Sequence, residues 1–176
     1  MGKKVLILGE AGSGKTRLAA QTLQMLMTIL NPEEITVIDF APEKRKSIGG
    51  KLTDYVDLVG GVRYLSPGKV YTPRLAGNSP EEVLHYAGLN RKNMEPLLKE
   101  FLKNPTSVLI INDVTLYLHS GELEIILKCA KKAETFLATA YYGSKLAEDL
   151  GTGISLKERR LTDELATFMD FVVKID

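Results

Sequence analysis

Five apolar runs punctuate the chain: Lys4 to Leu8, Ile35 to Phe40, Ser107 to Asn112, Thr135 to Ala140 and Phe171 to Ile175. Each is nearly continuous in large or β-branched residues, without polar alternation. Strands covered on both faces read this way, so the pattern predicts a mostly parallel sheet. Helical patterns lie between them. Lys15 to Leu30 is rich in Leu, Ala and Met and stops at Asn31-Pro32. Ser79-Pro80-Glu81-Glu82 carries a cap residue, a first-turn proline and acids at the positive end of a helix. That helix is expected to run, with a break, to Asn104-Pro105. Gly121 to Ala133 predicts another, with Lys128, Lys131 and Lys132 at its negative end. Strands alternating with helices define an α/β layered fold.

The stretch from about 41 to 78 is different. Gly49-Gly50, Gly60-Gly61, Pro67-Gly68, Pro73 and Gly77 mark an irregular insertion, with one short strand expected near Val62 to Leu65. No repeat or linker divides the chain, and 176 residues suit one domain. Charge is balanced, 23 Lys+Arg against 22 Asp+Glu. There is thus no bulk attraction to nucleic acid or membrane. Cys129 is the one cysteine, which excludes a disulfide framework. No run nears the roughly 18 apolar residues of a membrane span. The start of the chain has too short an apolar stretch for a signal peptide, so a cytoplasmic protein is expected.

The first strand runs into Gly9-Glu10-Ala11-Gly12-Ser13-Gly14-Lys15-Thr16, which opens a helix. This is the phosphate-binding pattern G-x-x-x-x-G-K-[ST] in its strand-to-helix setting. Glycines let the backbone N–H groups turn inward around an anion, and the helix N-terminus adds partial positive charge. Lys15 reaches phosphate oxygens as a point charge, and the Thr16 hydroxyl is placed for Mg²⁺. With Arg17, these residues form the candidate ATP site.

A Mg²⁺–nucleotide site also needs an acid at a neighbouring strand end. Val108 to Asp113 supplies one, in two registers. In the first, Asp113 is the metal-side carboxylate, preferred because a carboxylate suits a hard cation better than an amide. In the second, Asn112 takes the metal side, and Asp113 stands where a catalytic acid follows. For the base that activates water, Asp39 and Glu43, past the second strand, are candidates, with Glu43 favoured. An Asx turn for Asp39 and a solvated ion pair for Glu43 are the competing structural roles.

Taken together, GEAGSGKT at 9–16, VIDFAPE at 37–43 and LIINDVTLYL at 109–118 resemble the P-loop NTPases, in the branch of RecA-like and KaiC-like ATPases and HerA/FtsK translocases. The resemblance implies a three-layer sandwich around a five-stranded sheet of order 5-1-4-3-2. It also implies a Mg²⁺-dependent ATPase, working as a ring or filament on nucleic acid or protein. A glutamate after the second strand serves as base in such proteins, although Glu43 lies farther past Asp39 than is usual. A polar sensor of the γ-phosphate is expected at Thr139 or Tyr141. The arginine offered to a neighbouring subunit is expected in the loop Lys157-Glu158-Arg159-Arg160, with Arg74 and Arg91 as weaker choices. Lys44-Arg45-Lys46 with Lys51 suggests a basic loop for nucleic acid. Two other functions stay open: a small-molecule or nucleoside kinase, with Asp39 as second acid and 151–160 as lid, and a nucleotide-binding regulator with little turnover.

Overall fold

A computed structural model describes residues 2–43 and 50–176. Six parallel strands form one sheet: β1 (Lys4–Gly9), β2 (Ile35–Asp39), β3 (Arg63–Leu65), β4 (Val108–Asn112), β5 (Thr135–Tyr141) and β6 (Phe171–Ile175). Their order is β3-β2-β4-β5-β1-β6. This is the expected five-strand order with one addition: β3, drawn from the irregular insertion, pairs outside β2.

Helix α1 (Lys15–Ile29) covers one face. Its Ala19, Ala20 and Leu23 pack on Ile7, Val37 and Ile110 in a fully buried cluster. Leu52 and Val56, from a short turn in the insertion, complete that layer. The other face carries α3 (Pro80–Lys103), α4 (Thr115–Leu118), α5 (Leu123–Lys132) and α6 (Ile154–Thr167). Met94, Leu98, Phe101, Ile126, Phe136 and Leu165 meet there.

Local signals explain several boundaries. The Ser79 hydroxyl accepts the Glu82 N–H at 3.3 Å and caps α3. The break expected in this helix is absent: α3 runs through Pro96. Pro96 is exposed, so the carbonyl it leaves unbonded faces water, while buried Met94 and Leu98 hold the helix on either side. The insertion is less irregular than its glycines suggest, for it also holds α2 (Pro73–Ala76). Residues 157–160 lie inside α6 rather than in a loop. The basic residues Lys44, Arg45 and Lys46 fall outside the described residues.

One strand departs from the sequence pattern. β6 reads as doubly covered, yet Phe171, Val172 and Val173 are 54, 44 and 40% exposed. β6 is the last strand of the sheet, and of its apolar residues Ile175 packs on the α1-side cluster while the first three lie at the surface.

Candidate functional site

The strands end together at one edge of the sheet, and the glycine loop between β1 and α1 lies there. Gly12 and Gly14 adopt φ of 79° and 96°, a left-handed conformation that side chains resist. The loop folds over its own lysine: Lys15 Nζ donates to the Glu10 carbonyl at 2.7 Å. Burial lowers the Lys15 pKa, opposed by the charges of Asp113 and Glu10. The Ser13 hydroxyl is buried with no partner among the described residues, a donor that a phosphate oxygen would satisfy.

Glu10 serves the loop structurally. Its carboxylate accepts the N–H groups of Ala11, Ser144 and Lys145 at 2.9, 2.8 and 3.1 Å. Burial alone would raise its pKa, but these donors outweigh it and bring the value down to about 2. The loop after β5 is thereby tied to the glycine loop.

Thr16 meets the end of β4. Its hydroxyl donates to Asn112 Oδ1 at 3.3 Å. The orientation of that amide follows from its other contacts. Nδ2 donates to Asp39 Oδ1 at 2.9 Å and to the Gly50 carbonyl at 3.3 Å, both pure acceptors, which leaves Oδ1 toward Thr16. The Thr139 hydroxyl donates to the same Oδ1 at 2.8 Å and accepts the Asp113 N–H at 2.8 Å. Its proton is thus directed at Asn112. The side chain at the end of β4 that Thr16 contacts is thus Asn112, while Asp113 lines the same cavity as Thr16. Asp113 comes one residue later, where the backbone turns at φ 59°.

Asp113 lines the cleft together with Lys15. Burial raises its pKa, against the opposing charge of Lys15 and a 3.0 Å hydrogen bond from Thr115. Asp39 is buried behind Asn112 and fully engaged, accepting from the Ala41 and Leu52 N–H groups, Tyr64 Oη and Asn112. Burial raises its pKa as well, while these four donors pull it down. With its lone pairs so used, it acts as a bracket holding β2, β3 and β4 together. Glu43 stands apart: its side chain is 78% exposed, pairs with Lys51 at 2.6 Å and does not line the cleft. The physical reason is the chain's direction after β2, which carries Ala41 and Pro42 along the cleft wall and Glu43 beyond it.

Opposite the glycine loop, the cleft wall holds a buried ionic cluster that pattern reading missed. Arg74 of α2 pairs bidentately with Glu158 of α6 at 2.9 and 3.0 Å and donates to Ser155 Oγ. His119 Nε2 lies 2.6 Å from Glu158 Oε2, the oxygen that Arg74 Nη2 also reaches. A signal existed, since Glu158 interrupts the buried stripe Ile154, Leu161, Leu165 of an amphipathic helix. Of the arginines expected to serve a neighbour, Arg74, Arg159 and Arg91 are engaged within the chain, while Arg160 is exposed. Arg159 donates to the Gly143 carbonyl and stacks 3.7 Å over Tyr142. Arg91 pairs with Glu95. Cys129 is a core residue, its thiol pushed up to about 12 by burial.

The cleft encloses about 410 Å³. Among the described residues no cluster of His, Cys, Asp and Glu could hold a metal by itself. The groups that meet at Thr16 and Asn112 are oxygens, which fits a hard cation that shares its shell with phosphate and water.

No family model matches this chain, and no curated protein matches it in sequence. Among solved structures it is similar to the flagellar accessory protein FlaH from Methanocaldococcus jannaschii. The TM-score is 0.52 at 10% identity, over 98% of this chain and 70% of that one. The likeness is one of fold alone, helices layered on both faces of a parallel sheet. No helix among the described residues is long and apolar enough to cross a membrane.

Proposed function

We propose that the chain binds Mg²⁺–ATP in the cleft and hydrolyses its γ-phosphate. One observation carries this reading: Lys15, Thr16 and Asp113 line a single cavity at the strand ends, and Asn112 lies behind it, hydrogen-bonded to Thr16. Loop N–H groups and the first turn of α1 bind the phosphates, with Lys15 leaving the Glu10 carbonyl to reach them. Magnesium, when bound, neutralises charge on the phosphate oxygens; Thr16 and Asn112 are the groups that hold it or its water. Asp113 is the general base that takes the proton of the attacking water. Its burial beside Lys15 suits that role, because a raised pKa makes it a stronger acceptor. ATP is the expected nucleotide, since no guanine-reading motif is present.

The neutral amide of Asn112 favours a second reading, a nucleotide-binding regulator with little turnover. Phosphate release from Mg²⁺–ATP by the purified chain separates the two. Turnover that falls about 100-fold or more in Asp113→Asn, with ATP affinity retained, supports hydrolysis with Asp113 as base. Tight binding without release supports the regulator.

A further inference from the structure

β6 ends the sheet with its outer edge unpaired among the described residues. The opposite edge strand, β3, has three residues, half-buried and led by Arg63. β6 has five, and its first three, Phe171, Val172 and Val173, are exposed. Phe168, just before it, is 51% exposed. A long apolar edge is a template for another strand, and single-chain proteins usually blunt it.

We propose that β6 pairs with β6 of a second copy of this chain, antiparallel and about a two-fold axis. Charge complementarity selects this occupant. Alternate residues turn their backbone groups toward a free edge, so only registers that oppose residues of like parity form a ladder. Centred on Val173, the pairing sets Asp170 against Asp176 of the other copy. Centred on Lys174, it sets lysine against lysine. Centred on Phe171, it leaves Asp170 facing Val172. Centred on Val172, it sets Asp170 against Lys174 twice and Phe171 against Val173 twice, with Val172 meeting itself. Asp170 and Lys174 are both exposed. Lys174 now rests 4.8 Å over the Tyr142 ring, and one oxygen of Asp170 holds the Lys4 N–H at 2.7 Å, leaving the other free. A strand complementary to itself in one register is what an isologous interface requires. The two-fold reverses strand direction, so the two clefts face opposite ways and neither takes a residue from the other copy.

Sedimentation velocity of the full chain without nucleotide, over a concentration series, tests this. The expected particle has twice the 19.4 kDa chain mass. Lys174→Asp opposes two aspartates twice and weakens the dimer about tenfold or more. Asp170→Lys does the same with lysines, and mixing the two variants restores a dimer, because every cross-strand pair is again opposite in charge. Val172→Lys sets two lysines on the axis without touching the Asp170 contact to Lys4, so it tests the register even where Asp170→Lys fails to fold. A monomer at every concentration overturns the proposal, as does a dimer that Lys174→Asp and Val172→Lys leave intact. Because nucleotide is absent, neither result depends on the proposed hydrolysis.

Discussion

The Thr16 hydroxyl donates to the side-chain oxygen of Asn112 across 3.3 Å, joining the first turn of α1 to the end of β4. An amide occupies this place because it must serve two sides at once. Its oxygen faces the hydroxyls of Thr16 and Thr139, and its nitrogen satisfies the buried carboxylate of Asp39.

Asn112→Asp should therefore destabilise the fold. It sets a second buried carboxylate 2.9 Å from Asp39, where two like charges cannot both stay ionised. The folded-state pKa of the pair rises above the unfolded value, so the deficit grows as pH climbs from about 4 through that raised value. Thermal melts from pH 4 to 8 should show wild type and variant diverging upward in pH. Added Mg²⁺ should narrow the gap at neutral pH. Parallel curves would mean that the amide is not needed here.

Glu10→Gln loosens the tether between the glycine loop and residues 144–145. The wild-type carboxyl sits at about 2, below its unfolded value, so its contribution is complete at neutral pH. It is lost as pH falls from about 4.5 toward 2. The melting temperature of the variant should be lower at pH 7, with the difference closing in acid. The group is near the surface, so the shift should be a few degrees.

Glu158→Ala removes the partner of both Arg74 and His119 and leaves a buried guanidinium uncompensated, at a cost of about 3–5 kcal/mol. Urea denaturation measures this. Arg160→Ala, an exposed neighbour on the same helix, should stay within about 0.5 kcal/mol of wild type.

How much of this was legible in the sequence depends on the range of the interactions. The glycine loop and the capping of α3 by Ser79 rest on local chemistry and the strands on periodicity, so these could be read; the strand order came only from the family resemblance. The partners of Asp39 could not, because Leu52, Tyr64 and Asn112 come from three separate segments. The same holds for Arg74 and Glu158, 84 residues apart. Glu43 illustrates the converse case. Its place after β2 makes it a plausible base, but one more residue of chain carries it out of the cleft to Lys51. Periodicity likewise misjudged β6, since an apolar run looks the same whether helices cover it or solvent does.

If Asp113 is the base, the raised pKa of its carboxyl should appear in the acid limb of kcat/KM. Activity should fall with decreasing pH at a point above the ordinary carboxylate range, near 4. Glu43→Gln should keep the wild-type profile. A profile moved by Glu43→Gln and untouched by Asp113→Asn would return the role to Glu43.

The most direct test of the whole account is calorimetric titration of the chain with Mg²⁺–ATP, beside Lys15→Ala. Wild type should give saturable heat, and the variant, with its fold retained by circular dichroism, should lose at least ten-fold in affinity. No heat from wild type, or undiminished affinity in Lys15→Ala, would contradict a phosphate-binding role for the loop.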